Sequence, residues 1–402
     1  GSGALDATGT NAQTGTIAIG RNALTALTSG TGNLAIGYQA GYSNLTGGYN
    51  TLLGYQAGYN LLTDNNVAIG WQALYKIGDA AGGGHGENNI AIGVGAIAGG
   101  DDTDGNNTGY KNVAIGTATL GGATRSSDGA AFTGYENVAI GYNAGTNVST
   151  SYRSVMIGLG AGDAITTTPG VVLIGYNAGG AINHDDAAYT VAIGQNAGAV
   201  ITSGRYQTLV GYRTGVSITE GDSNTLIGYE SGQSLTTGLE NTTVGMWSLS
   251  SNITGQRSVA IGNSALATIT TAGESTAVGY LALTANTTGY SNSALGKSAL
   301  GSNTTAAKNT AVGHNSLVLT TTGGSNTALG YQSGFSNTTG NTNVALGYET
   351  LYTNQQGDRN TAVGMQALYT MNPSGNADTY NTGIGYAALG ANTTGGSNVA
   401  VG

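Results

Sequence analysis

Aliphatic and polar positions along this chain follow one pattern that returns from end to end. Asn33-Leu34-Ala35-Ile36-Gly37-Tyr38-Gln39-Ala40-Gly41 comes back as Asn50-Thr51-Leu52-Leu53-Gly54-Tyr55-Gln56-Ala57-Gly58, and the central glycine occurs 22 times between Gly20 and Gly402. Fifteen of the 21 intervals between these glycines are 17 residues; the others are 16, 19, 21, 23, 23 and 25. With the glycine as position 0, position −1 is Ile, Val or Leu in all 22 copies, and −3 is Val, Thr or Ile in all but two, Leu34 and Ser293. Alternation with period two predicts a short strand with −3 and −1 on a buried face. Position −2 is Ala in 15 copies and Leu or Met in five, so the opposite face is expected to be covered too, since a solvated face would be polar. Position +3 is Ala, Ser or Thr in all 21 complete copies, which predicts close packing, and +4 is Leu, Gly or, once, Ile97.

The expected unit is a strand of about four residues, a glycine bend, a second short strand and a polar return such as Ala285-Asn286-Thr287-Thr288-Gly289. In that return Asn and Thr bond local backbone and Gly takes a positive φ. Seventeen residues are too few for a two-helix repeat, so the fold class is all-β: a parallel β-solenoid or β-roll of about 22 coils. It is read as one array over residues 1–402 with enlarged loops in 71–140. At ~4.8 Å per coil the array would form a rod roughly 100 Å long. Like positions then stack. Asn at −4 in 15 of 22 copies should make an amide ladder. Tyr at +1 in ten copies should make a row, either a stripe binding carbohydrate or protein, or stacking that covers a strand edge or subunit seam; the second reading is preferred because the row keeps step with the repeat.

Composition narrows the function classes. The 402 residues include 72 Gly, 2 Pro, no Cys, 11 Lys+Arg and 20 Asp+Glu. Glycine is about half as frequent as a collagen helix requires. Scattered basic residues and a net charge of −9 leave no footprint for phosphate backbones, so nucleic acid is not an expected partner. Apolar runs such as Val171-Val172-Leu173-Ile174 are too short to span a bilayer, and Gly1 to Thr10 lacks a signal-peptide pattern. Without cysteine there is no disulfide or thiolate metal site.

Candidate chemistry is sparse. His85, His184 and His314 fall in different coils, and His314 occupies the Tyr position; neither an enzyme, nor a catalytic residue, nor a cofactor is expected. Asp101-Asp102-Thr103-Asp104-Gly105-Asn106-Asn107 offers oxygen ligands but fits neither an EF-hand nor the nonapeptide calcium repeat, so it is read as a solvated acidic loop and no metal ligand is assigned. His184-Asp185-Asp186 is weaker still. Asn44, Asn147, Asn252 and Asn286 open glycosylation-type triplets of the kind that chance supplies in a chain rich in Asn and Thr. The three enlarged coils between Gly70 and Gly141 carry Asp79, His85, Glu87, Asp101, Asp102, Asp104, Arg125, Asp128 and Phe132, expected to emerge as adjacent loops forming a lateral recognition patch.

Asn-Thr-Ala-Val-Gly at 309–313, Asn-Val-Ala-Ile-Gly at 66–70 and Ser-Val-Ala-Ile-Gly at 258–262 resemble the head repeats of trimeric autotransporter adhesins of the YadA type. The fuller unit, with its Asn-Thr-Thr-Gly return, is similar to repeats of bacterial and phage tail-fibre-like proteins. The resemblance covers nearly the whole chain. It implies a left-handed β-roll, a homotrimer, an extracellular place on a cell surface or virion fibre, and attachment to a host or surface receptor, protein or glycan. The coils here are longer than those usual in adhesin heads, and the sequence shows neither a coiled-coil stalk nor a membrane anchor. The expected function is a structural and adhesive fibre; the alternative is an architectural subunit of a self-assembling extracellular filament without a receptor site. Ice binding ranks below both, because Thr shares with Val the strand position read as buried. The trimer seam is expected on the −2 face, at residues such as Ala311 and Ala345. The chain is also expected to be a segment of a longer fibre, since Val401-Gly402 falls within a coil.

Overall fold

The structure, a computed structural model, describes residues 1–7, 13–78, 85–99, 107–121, 131–375 and 377–402. It comprises two compact units, residues 1–207 and 208–402. Each coil contributes one three-residue strand at positions −3 to −1. The first unit stacks ten of these, from Ile17–Ile19 to Val191–Ile193; the second stacks twelve, from Thr208–Val210 to Val399–Val401. Inside each unit every strand pairs in parallel with the next in sequence, like position on like: Val259 with Thr276, Ala260 with Ala277, Ile261 with Val278. Among the described residues there is no α-helix; the remaining elements are a 3-10 turn, Asp185–Ala187, and a two-residue pairing of Gly357–Asp358 with Ala377–Asp378. The fold is an all-β parallel solenoid with a repeat of about 17 residues.

Among the described residues the second short strand is absent. Positions +1 to +6 form successive turns in which left-handed residues recur at alternate positions, as at Gln39 (φ 55°) and Leu24 (φ 50°). This alternation still points backbone groups at the neighbouring coils: Gln39 N–H donates to the Arg21 carbonyl at 3.0 Å, and Leu24 N–H to the Ala40 carbonyl at 3.0 Å. Turns therefore continue the inter-coil ladder without extended geometry.

The two faces of the strand are reversed from the sequence expectation. Position −2 points into the coil, and Ala260, Ala277, Ala311 and Ala345 are buried. Positions −3 and −1 point outward and are half-buried or exposed, Leu295 and Leu329 by 51%. A period of two reports alternation only; which side is inside depends on how the coil closes. Here the interior is narrow, filled by −2, +3, +4 and +7, as in Ala260, Ala265, Leu266 and Ile269. The small residue at +3 is thus core, and Ala311 and Ala345 lie within their own coils, not on a seam. The one threonine at −2, Thr243, is matched by the Ser231 hydroxyl of the preceding coil, itself bonded to Ser248 at 3.0 Å. That satisfies a polar pair inside an apolar column.

The Asn ladder is present and buried. Asn343 N–H donates to Asn326 Oδ1 (2.9 Å), while Asn326 Nδ2 donates to the Gly340 carbonyl (2.8 Å) and to Asn309 Oδ1 (3.2 Å). Each amide thereby ties its strand to the coils on both sides and to the polar return. In the return, Asn286 Nδ2 donates to the Gly289 carbonyl (2.7 Å), a local bond, whereas the Thr287 hydroxyl donates to the Thr304 carbonyl of the next coil (3.0 Å). Gly289 has no positive φ. It is glycine because a Cβ would fall against the Ala306 carbonyl and 2.5 Å from Asn286 Oδ1.

Candidate functional site

Two kinds of surface stand out from the repeat. The first is the outward sheet face. Its −3 and −1 side chains carry no charge in any of the 22 strands. Among them Ile36, Ile90, Ile115, Ile227, Val244, Ile261, Leu295 and Leu329 are exposed. Soluble monomers rarely expose contiguous apolar patches above a few hundred Å², which makes this row a candidate contact surface.

The second is a set of aromatic rows. At +1, Tyr38 stacks on Tyr55 (5.1 Å), Tyr212 on Tyr229 (5.1 Å) and Tyr331 on Tyr348 (5.3 Å). His314 joins this row, 5.4 Å from Tyr331, as its position implies. Two further rows were not legible from the glycine-centred alignment. One, at +5, holds Tyr42, Tyr59 and Tyr75, and separately Phe335, Tyr352 and Tyr369. The other, at −6, holds Tyr110, Tyr135 and Tyr152. Counting backward from the glycine, across the return, is the signal that would have found the −6 row.

Beside it, at −5, charges of alternating sign stack. Lys111, Glu136 and Arg153 follow one another, with Arg153 Nε donating to Glu136 at 2.9 Å, and Glu240, Arg257 and Glu274 repeat the device. These pairs are exposed and screened by solvent, so each contributes little. The Glu136 hydrogen bond and charge hold Arg153 more firmly protonated than usual. Burial in the stack, followed by the neighbouring phenols, raises the Tyr59 pKa; burial and then Glu349 raise that of Tyr369. Asp163 is raised chiefly by burial, against hydrogen bonds from its own and the Ala164 N–H groups.

Of the nine residues expected to form a patch on the enlarged coils, His85, Glu87 and Phe132 are among the described residues. Asp79, Asp101, Asp102, Asp104, Arg125 and Asp128 lie outside the described residues, as does most of the acidic segment 101–107. Phe132 is core: it is fully buried, packs over Gly109 and Gly121, and its N–H donates to Asn107 Oδ1 at 2.8 Å. A larger coil needs a larger filler, and the ring supplies it. His85 tilts against Tyr110 at 5.5 Å, and the Glu87 carbonyl accepts from Lys111 N–H. His184 accepts from Asp186 N–H at 3.2 Å, and Asp186 also faces Arg205 at 3.9 Å. Among the described residues no group of three or more His, Asp or Glu is placed to hold a metal ion, and no helix is long and apolar enough to cross a membrane. Asn44, Asn252 and Asn286 are fully buried, which removes them as sugar acceptors in the folded chain.

No protein-family model matches the chain, and no curated protein matches its sequence.

Proposed function

We propose that this chain is the repeat portion of a homotrimeric, left-handed β-roll fibre, displayed outside a cell or on a virion, that mediates attachment to a surface or host. The observation that carries the reading is the charge-free outward row at −3 and −1. A partner for that row must offer apolar side chains at the coil step, and another copy of the chain has that spacing by construction. Covering the exposed half of each outward Ile, Val or Leu contributes about 1 kcal/mol, summed over many strands. The resemblance to YadA-type head repeats supports three copies and the attachment role.

Sedimentation equilibrium should give three times 39.7 kDa. Ile227→Glu with Ile261→Glu should yield a folded monomer. A wild-type monomer would refute the assembly, and electron microscopy of the native material showing continuous polymers instead of discrete fibres would favour the filament alternative.

Ice binding gains one supporting observation. Thr242, Thr276, Thr310 and Thr327, at −3, are exposed on the outward face, not buried as the sequence pattern suggested. Thermal hysteresis of the purified chain tests it; a freezing point equal to the melting point removes it.

A further inference from the structure

Four successive coils of the first unit share a motif at positions −8 to −6: Thr108-Gly109-Tyr110, Thr133-Gly134-Tyr135, Thr150-Ser151-Tyr152 and Thr167-Thr168-Pro169. Elsewhere in the chain −6 is aromatic only at Tyr290. Stacking turns the motif into a groove of about 530 Å³, open on one side. One wall is Thr133, Thr150 and Thr167; the other is Tyr135, Tyr152 and Pro169; Asp185 also lines it. The intervening −7 residues Gly134, Ser151 and Thr168 are buried, and the Ser151 hydroxyl donates to the Thr168 carbonyl at 2.6 Å.

The walls repeat at the coil step. Tyr110, Tyr135 and Tyr152 lie 5.1 and 5.0 Å apart with ring planes within 4° of parallel. Their faces are spent on one another, so ring edges and phenol groups are what remain for a ligand. The opposite wall supplies one hydroxyl per coil. Among the described residues Asp185 is the one charged side chain lining the groove, and the Thr167 hydroxyl donates to it at 2.5 Å. Lys111 and Arg153, at −5 beside the tyrosines, are paired with Glu136.

We propose that this groove binds a linear, uncharged polysaccharide lying along the stacking direction. A pyranose unit has nearly the length of one coil step, so successive sugars can meet successive Thr and Tyr pairs in the same way. Hydroxyl groups on one wall exchange hydrogen bonds with the sugar, and the ring edges with Pro169 cover its C–H surface. An extended peptide advances ~3.4 Å per residue and loses register with the rows. Asp185, in a chain of net charge −9, opposes phosphate, sulfate and uronate ligands. The proposal deepens the attachment reading and rests on it for its biological role, while the binding itself is independent of how many chains assemble.

The test is calorimetric titration of the intact protein with cellotetraose, mannotetraose and xylotetraose, with heparin tetrasaccharide as the anionic comparison, and with chain mass measured on the same samples. At least one neutral tetrasaccharide should bind and heparin should not. Thr150→Val with Thr167→Val, which keeps shape and removes hydroxyls, should weaken binding at least tenfold, as should Tyr152→Leu; Tyr369→Leu in the second unit should leave it unchanged. Absence of binding by all three neutral sugars at millimolar concentration, or undiminished binding by both groove variants with unaltered circular dichroism, overturns the groove. A monomeric mass with groove-dependent binding overturns the trimer and leaves the groove standing.

Discussion

At the central glycine of a coil that another coil follows, two demands coincide. Gly262 has φ +131°, a region closed to other residues, and a Cβ there would lie 2.5 Å from the Gly279 carbonyl oxygen and 2.7 Å from its carbon. Gly262→Ala should therefore destabilise its coils by about 3 kcal/mol or more, through strain and overpacking together. Gly95, with φ +62° and nothing within 4 Å, faces the first demand alone, and Gly95→Ala should cost about 1 kcal/mol. Amide exchange in the flanking coils separates the two, because repeat arrays open locally.

A second residue-scale rule governs core volume. All five coils with Leu or Met at −2 (Leu52, Met156, Leu173, Leu209, Leu226) have Gly at +4, and no coil has a large side chain at both positions. In the structure a Cβ on Gly232 would sit 2.6 Å from Leu226 Cδ1. Gly232→Leu alone should overpack by about 1–3 kcal/mol and Leu226→Ala alone should leave a cavity costing about 2–5 kcal/mol. The double variant restores the commoner pattern and should approach wild-type stability in a thermal double-mutant cycle.

At the scale of the strand and its ladder, the buried amides set a pH signature that can be engineered. Asn326→Asp replaces a donor by a carboxylate facing Asn309 Oδ1 and the Gly340 carbonyl, both acceptors. Burial and the loss of its hydrogen bonds would raise the folded-state pKa of this Asp above its unfolded value. A raised pKa means that its contribution is best below the unfolded pKa and is lost as pH rises through the folded one. The variant should melt closest to wild type near pH 4 and fall progressively behind toward pH 7, whereas a pH-independent difference would show that the carboxylate reaches solvent. The ladder itself was legible, because Asn at a fixed offset from glycine in stacked coils has few other uses. The orientation of the strand was not, because Ala and Ile are both apolar and alternation alone does not name an inside.

Within each unit, stability should behave as a sum over coils and their interfaces. Deleting residues 264–280, one full period in the second unit, returns every later residue to its own column. The shortened chain should keep its β spectrum and lose only a small part of its melting temperature. Deleting eight residues, 264–271, shifts every column and should unfold the neighbouring coils; equal tolerance of both deletions would refute the column-by-column account. The same columns explain why insertions concentrate in the return, where Thr bonds the next coil without constraining loop length.

The sequence by itself determined the repeat, the parallel stacking of like on like, the glycine bend and the Asn ladder, because each depends on spacing along the chain. Tertiary structure decided which strand face is interior, that the segment after the glycine is turn and not strand, that Phe132 is core, and that Thr133, Tyr135, Thr150, Tyr152 and Thr167 share a groove. Those depend on how a coil closes and on distances between residues of different coils, and a one-dimensional pattern carries neither.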